Sequence, residues 1–306
     1  MKNDYDFLVV YNTCGIRGDR ADHYIHCLRT ILQSKTSFKY KLVMSSCLNH
    51  PVCRNRIKET FEDLVEIVTI DTPVTVNISY NKTCRDMISK YGPFKGYLYL
   101  DSGLDFDGNT DALDKAFNSF VDNDYGILSI LASNDHGLVN SKGADFPVLN
   151  QDYLMPLGGA VNGHAELFSH SIFEKYGNLW PDVFAAWCTE STFTFLAASV
   201  GKRQAVLKDI VLNHAKSVDG ASASQGHVSS VYGNPWNNLL GNRDAREFIN
   251  DEEAISAGLG YEECNNIMMH TPQAYDNYLP KDADSLTNVI KKYLFLSKEE
   301  LDYESL

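Results

Sequence analysis

Short apolar runs alternate with amphipathic stretches through the first hundred residues of the chain. The apolar runs are Phe7–Tyr11, Lys41–Ser45, Val65–Ile70 and Gly96–Leu100. The stretches between them, with apolar residues at helical spacing, are about Ala21–Gln33, Val52–Leu64 and Asn81–Tyr91. Continuous apolar runs are typical of strands buried on both faces, and their alternation with helices predicts an α/β domain with a mostly parallel sheet.

The pattern is less regular after about residue 107. It predicts helices near Leu113–Val121, Ala165–Tyr176 and Thr189–Val200, and strands at Tyr125–Ala132 and Val206–Leu212. Glycine and asparagine are frequent in Ser133–Gly163. Serine, glycine and asparagine dominate Ala215–Asn242, which we expect to be a mobile loop or lid. Two more helices are expected near Ala283–Tyr293 and Lys298–Tyr303.

Composition narrows the classes of partner. The chain has 306 residues, 44% hydrophobic and 22% charged, which is ordinary for a globular protein and excludes a disordered chain. Its 27 basic and 40 acidic residues give a formal net charge of -13. This balance argues against general binding of nucleic acid or anionic membrane, because both are polyanions. A small anionic ligand is still compatible, provided that dipoles or a bound cation hold it.

Cysteine usage and the absence of long apolar segments indicate the compartment. The seven cysteines are odd in number and include no CxxC pair, which favours a reduced cytosolic pool over a secreted disulfide framework. No Cys/His cluster has the spacing of zinc ligands. No signal peptide and no apolar run of the roughly 20 residues that span a bilayer are visible. We therefore expect a cytoplasmic protein without a transmembrane segment.

Three polar residues stand where strands end or a helix begins, and ligands of open α/β sheets bind beyond the carboxyl ends of strands. Asp101 follows the central strand and suits a divalent cation, or else caps a turn. Glu190 stands near a helix start, as a general base or as a favourable charge at the helix dipole. His214 follows the last strand, as a manganese ligand or as a strand-end side chain bonded to backbone. Taken singly, each residue leaves both interpretations open.

Taken together, the polar segments follow one another in an order known from one enzyme family. In chain order they are Val9-Val10-Tyr11-Asn12-Thr13, Val76 to Arg85, Tyr99-Leu100-Asp101-Ser102-Gly103, Asn162 to Gly177, Thr189 to Arg203, and His214. In this order the chain resembles the glycosyltransferases of the GT-A fold, close in pattern to the inverting family-2 type. The resemblance covers about Tyr5 to His214. Its main departure is Gly103, which stands at the second Asp of the family's Asp-x-Asp signature; Asp105 or Asp107 could substitute for it.

The resemblance implies a fold and a division of the chain. We expect a GT-A-like (Rossmann-like) α/β fold, with a mixed, mostly parallel sheet flanked by helices. The catalytic domain would comprise residues 1–214, with a nucleotide-binding half at about 1–107 and an acceptor half at about 108–214. Residues 215–306 would form a flexible loop and helical C-terminal extension without a counterpart in the family.

The resemblance also implies a reaction. A sugar would pass from a nucleoside-diphosphate sugar to a hydroxyl of a glycan or another acceptor, with inversion and with Mn²⁺ or Mg²⁺ as cofactor. Glu190 would be the catalytic base, and Asp101 and His214 would bind the metal. The nucleotide sugar would contact Tyr11, Asn12, Thr13, Asn81, Arg85, Asp101, Ser102 and Gly103. The donor or acceptor sugar would lie against Asn162, Gly163, His164 and Trp187.

Two other functions remain open at this point. A retaining glycosyltransferase or a nucleotidyltransferase would share the first half of the fold. The glycine-rich phosphate loop of nucleotidyltransferases has a weak match in this chain at Gly15 to Arg20. A non-catalytic nucleotide-sugar binding module would account for the missing second Asp. The sequence leaves the nucleobase, the sugar, the acceptor and the oligomeric state open.

Overall fold

The structure is a computed structural model. It describes residues 4–14, 20–47, 51–71, 76–133, 152–155, 163–181, 192–214, 287–288, 290–291 and 295. Most of the predicted C-terminal extension, residues 215–306, thus lies outside the described residues. The division of the chain at residue 214 therefore stays a prediction.

Nine strands form one mixed sheet in the order β3-β2-β1-β4-β8-β6-β9-β5, with β7 paired to β9. The strands are β1 Phe7–Cys14, β2 Tyr40–Cys47, β3 Glu66–Ile70, β4 Gly96–Asp101, β5 Leu104–Asp105, β6 Ile127–Ala132, β7 Tyr153–Leu154, β8 Ala165–Ser169 and β9 Gln204–His214. Strands β1 to β4 are parallel, β8 is antiparallel to both β4 and β6, and β9 is parallel to β6. The expected mixed, mostly parallel α/β sheet is confirmed.

Helices cover both faces of the sheet. They are α1 Ala21–Gln33, α2 Pro51–Phe61, α3 Val76–Tyr91, α4 Ala112–Asp122, α5 His170–Tyr176 and α6 Phe193–Ser199, and a 3-10 turn follows α2 at Glu62–Leu64. One apolar core packs α3, α5 and α6 against the face that carries Tyr97 and Tyr99. A second core packs α1, α2 and α4 against the face that carries Leu98 and Leu100. Burial of alternate residues of β4 on opposite faces is what a central strand with helices on both sides requires.

The helix expected at Ala165–Tyr176 is wrong for its first five residues. Ala165–Ser169 is strand β8, which lies between β4 and β6 and is buried along its whole length. A short run buried on both faces carries no periodicity that separates a strand from a helix. The helix begins only at His170, where the Ser169 hydroxyl accepts a hydrogen bond from the Ser171 backbone N–H.

Two strands also run further than the pattern indicates. β1 continues to Cys14, so that Asn12 and Thr13 belong to the strand rather than to a loop. β9 continues to His214. Both extensions lengthen strands toward the edge at which the candidate site lies. No helix of the part of the chain described by the structure is long and apolar enough to cross a bilayer.

Candidate functional site

Three parallel strands bring their carboxyl ends to the same edge of the sheet. Asn12 of β1 pairs in register with Ser45 of β2 on one side and with Asp101 of β4 on the other. The antiparallel strand β8 begins at this edge, and the backbone N–H of Asp101 donates to the His164 carbonyl at 2.8 Å. Asp101, the predicted cation ligand, therefore lies where ligands of open α/β sheets bind.

Asp101 faces two imidazoles. Its Oδ2 lies 3.3 Å from His164 Nδ1 and 3.5 Å from His214 Nε2, and the two rings lie 4.6 Å apart between centroids. The three side chains are half-buried, with 34%, 22% and 17% of Asp101, His164 and His214 exposed. The ligand atoms of all three lie within 4.8 Å of one another, so the group is able to hold a metal ion. Asp101 and His214 are thus brought together as expected, and His164 joins them.

Gly103 explains how His214 reaches this position. A Cβ atom on Gly103 would lie 2.8 Å from Nε2 and 3.0 Å from Cε1 of His214. Any side chain there would overlap the imidazole, because real Cβ contacts essentially never fall below 3.0 Å. The absence of a side chain at Gly103 therefore leaves the space that the His214 ring fills.

The charge state of Asp101 follows from the same contacts. Burial opposes ionisation, but the adjacent imidazoles of His164 and His214 outweigh it and hold the pKa of Asp101 well below its ordinary value. Asp101 is consequently a carboxylate at any physiological pH. An ionised carboxylate between two imidazoles has the charge and the lone pairs that a divalent cation requires.

Three hydrogen bonds hold the chain that follows Asp101. The Ser102 carbonyl accepts from the hydroxyl of Tyr11, which is fully buried, and from His23 Nε2 at 3.0 Å. The Ser102 backbone N–H donates to Asp101 Oδ1 at 2.6 Å. Tyr11, which the family pattern assigns to the nucleotide, thus contacts the turn that carries the carboxylate.

Buried polar side chains join β1 and β2 to helix α3 beside this turn. The Ser79 hydroxyl donates to Asn12 Oδ1 at 2.7 Å, and Asn12 Nδ2 donates to the Val76 carbonyl at 3.1 Å. Thr13 Oγ1 donates to the Ser45 carbonyl at 2.9 Å. Asn12 and Thr13 are 6% and 2% exposed, so their side chains support the edge from within.

Asn81 and Arg85, two other residues predicted to contact the nucleotide, form hydrogen bonds to a loop instead. Asn81 is 1% exposed; its Nδ2 donates to the Trp180 carbonyl at 2.7 Å, and its Oδ1 accepts from the backbone N–H groups of Leu179 and Trp180. Arg85 donates to Asn178 Oδ1. Both side chains of α3 therefore position the segment that follows α5. Their direct contact with a nucleotide stays a prediction.

Asp105 and Asp107, the suggested substitutes for the second Asp, belong to a different group. Asp107 Oδ2 lies 3.3 Å from His26 Nε2 of α1, and Asp105 Oδ1 accepts from Asn213 Nδ2 at 3.0 Å. His26, Asp105 and Asp107 form their own cluster of possible metal ligands. The side chain that lies next to Asp101 is therefore His164, and not that of either aspartate.

Three of the predicted site residues, Asn162, Trp187 and Glu190, lie outside the described residues. Gly163 is half-buried beside His164. The sequence patterns missed the approach of His164 to Asp101, because that contact depends on β8 being a strand beside β4. They also missed His23, one of several polar residues on α1.

Comparison with known proteins supports the fold. No family model and no curated protein matches the sequence significantly. A mannosyltransferase of Pyrobaculum calidifontis, solved with GDP-Man and Mn²⁺, matches with a TM-score of 0.53 at 16% identity, over 94% of this chain and 87% of that one. S. aureus TarS, alone and with UDP, matches with TM-scores of 0.48 and 0.49 at 12% identity, over 96% of this chain and 91% of each TarS chain. The likeness to the mannosyltransferase shows a shared fold.

Proposed function

We propose that the chain is a glycosyltransferase that moves a sugar from a nucleoside-diphosphate sugar to an acceptor hydroxyl, with inversion of the anomeric centre. The carrying observation is the group of Asp101, His164 and His214 at the carboxyl edge of the parallel strands. A solved protein of the same fold was crystallised with GDP-Man and Mn²⁺, which are a nucleotide sugar and a divalent cation.

The residues of this edge fit a divalent cation. An ionised carboxylate and two imidazoles meet there, and ligand sets of this kind bind first-row divalent metals. When bound, such a cation would neutralise the charge that develops on the diphosphate leaving group. Asp101 and His214 would hold the cation, and the bonds of Tyr11 and His23 to the Ser102 carbonyl would keep Asp101 in place.

The acceptor is activated by a carboxylate in this proposal. Glu190 would accept the proton of the attacking hydroxyl, which approaches the anomeric carbon from the face opposite the diphosphate. The carbon–oxygen bond to the acceptor forms as the bond to the diphosphate breaks, so the anomeric configuration inverts in one displacement. Because the net charge of the chain is -13, it repels an anionic donor, and a cation that neutralises the donor would favour binding.

A glycosyl-transfer assay with Glu190→Gln tests the reaction. We expect turnover to fall by about 100-fold or more while donor binding is kept, because an amide cannot accept the proton. Glu174→Gln is the matched control, since Glu174 is 68% exposed on α5 and is expected to leave turnover unchanged. Normal turnover of Glu190→Gln would rule out this base, and an NMR spectrum of a product with retained configuration would favour the retaining alternative.

The donor is identified by a thermal-shift screen of nucleotide sugars in the presence of Mn²⁺. A ligand that binds only the native state raises the unfolding temperature, so the strongest shift reports both the base and the sugar. Binding without turnover over a panel of acceptors would instead indicate a nucleotide-sugar binding module.

A further inference from the structure

His164 is the third member of the group at the carboxyl edge of the sheet. It immediately precedes β8, whereas Asp101 ends β4 and His214 ends β9. Three separate strand ends therefore deliver one oxygen ligand and two nitrogen ligands to the same half-buried position. Main-chain pairing holds two of them, because the Asp101 N–H donates to the His164 carbonyl at 2.8 Å.

The spacing of the three side chains suits joint coordination. Two ligands bonded at about 2.1 Å to one tetrahedral ion lie roughly 3.4 Å apart. Asp101 Oδ2 lies 3.3 Å from His164 Nδ1 and 3.5 Å from His214 Nε2. The two imidazole rings lie 4.6 Å apart between centroids. The side chains therefore need little rearrangement to share one ion.

We propose that His164 is a metal ligand, and that Asp101, His164 and His214 form a two-imidazole, one-carboxylate centre that selects a first-row transition-metal ion over Mg²⁺. The inference rests on the proposed function and deepens it by naming the class of cation and a third ligand. Gly103 is the residue that permits this set, since a side chain there would displace His214.

The selectivity follows from the donor atoms. Mg²⁺ prefers oxygen ligands, keeps much of its water and usually binds through one or two carboxylates. Imidazole nitrogen favours first-row transition metals, whose affinity rises from Mn²⁺ to Co²⁺. A centre with a single carboxylate and two imidazoles is therefore a poor Mg²⁺ site and a good site for Co²⁺ or Mn²⁺.

The test is a metal titration of the full chain after removal of metals with a chelator, without any nucleotide. Isothermal titration gives the dissociation constants for Co²⁺, Mn²⁺ and Mg²⁺, and the visible spectrum of bound Co²⁺ reports its ligands. We expect Co²⁺ to bind at least about tenfold more tightly than Mg²⁺. Equal affinity for Co²⁺ and Mg²⁺ would overturn the proposed selectivity.

Three variants assign the ligand. His164→Gln should lower Co²⁺ affinity by about tenfold or more and change the Co²⁺ spectrum. His164→Asp should narrow the ratio of Co²⁺ to Mg²⁺ affinity, because it replaces a nitrogen ligand with an oxygen. His26→Gln removes the imidazole of the separate group and should change neither quantity. An unchanged spectrum and affinity in His164→Gln, or a loss confined to His26→Gln, would overturn the assignment.

Circular dichroism of each variant separates loss of a ligand from loss of folding, and His164→Asp keeps the test open should His164→Gln fold poorly. Failure of the proposed function is distinguishable, because the titration requires neither donor nor acceptor. A chain that binds Co²⁺ through His164 but transfers no sugar would support the metal centre and contradict the glycosyltransferase.

Discussion

Two groups of histidine and aspartate are built from similar residues but differ in how the fold encloses them. The first comprises Asp101, His164 and His214, which are 17% to 34% exposed. In the second, comprising His26, Asp105 and Asp107, the ion pair of His26 and Asp107 is 53% and 58% exposed. Strand ends supply every member of the first group, whereas the second joins the surface of α1 to β5 and the turn after it.

The difference shows what the edge of a sheet adds to a cluster of ligands. Exposed ion pairs contribute little, because water screens the charges and the side chains lose entropy when they are held together. The half-buried group is held by main-chain pairing and by the bonds of Tyr11 and His23 to the Ser102 carbonyl. Similar residue types should therefore bind a cation at the first group and not at the second.

The largest expected contrast is between Asp101→Asn and Asp107→Asn. Loss of the only carboxylate of the first group should weaken Co²⁺ binding by about 100-fold and, under the proposed function, remove glycosyl transfer. The same change in the second group should leave both quantities near wild type. Titration calorimetry and the transfer assay on the two variants check this, and equal losses would show that the groups act as one.

Gly103→Ala and Gly108→Ala make the same change in the turns of the two groups. At Gly103 the new Cβ would lie 2.8 Å from His214 Nε2, so metal affinity should fall by about tenfold as the imidazole is displaced. At Gly108, where φ is 79° and no atom lies within 4 Å of the new Cβ, we expect a loss of about 1 kcal/mol of stability and unchanged metal affinity.

A double variant isolates the cause of the loss. In a His214→Ala background no imidazole remains to be displaced, so Gly103→Ala should add nothing further to the loss of metal affinity. Additive losses in the double variant would mean that Gly103 acts through the backbone rather than through His214.

Tyr11→Phe and Tyr80→Phe compare a hydroxyl at the first group with one inside the sheet. Both tyrosines are fully buried and donate to a backbone carbonyl, Tyr11 to Ser102 and Tyr80 to Tyr97. Each variant should lose about 1 kcal/mol in chemical denaturation, because a buried acceptor loses one hydrogen-bond donor. Only Tyr11→Phe should also weaken Co²⁺ binding, and parallel behaviour of both variants in the titration would contradict a positioning role for Tyr11.

The smallest expected effect is a pH dependence of stability through His23, the second donor to the Ser102 carbonyl. Burial lowers the pKa of His23 below its ordinary 6.5, although the bond to Ser102 opposes the shift. The unfolded chain therefore binds the proton more readily, and the contribution of His23 to stability is complete above about pH 6.5 and declines at lower pH. Urea unfolding at pH 7.5 and 5.5 should show a smaller difference for His23→Gln than for wild type, and an identical difference would contradict this.

The sequence predicts the first half of the fold well, because each element there has a strong local signal. The apolar runs before Asn12 and Asp101 are strands, and Ala21–Gln33 is a helix with the bounds expected. The parallel order follows from the alternation of strands and helices. Asp101 and His214 are recognisable as candidate ligands, because both stand where an apolar run ends.

The remaining features depend on contacts between distant segments. The sequence of Ala165–Ser169 predicts a helix, but in the fold this segment is a strand that pairs with β4 and β6. Only that pairing brings His164 to Asp101. Asn81 matches the family pattern, but that match does not reveal that its side chain accepts hydrogen bonds from the backbone N–H groups of Leu179 and Trp180.

In the first hundred residues the chain by itself thus determined the strands, the helices between them and the aspartate at the end of β4, because these follow from the local order of apolar and polar residues. Only the tertiary structure decided which side chains stand beside that aspartate. The contact of Gly103 with His214 joins residues on β9 and near β5, and no local pattern encodes it. A glycine in place of the second aspartate looks like a lost ligand in the sequence, and in the fold it makes room for an imidazole.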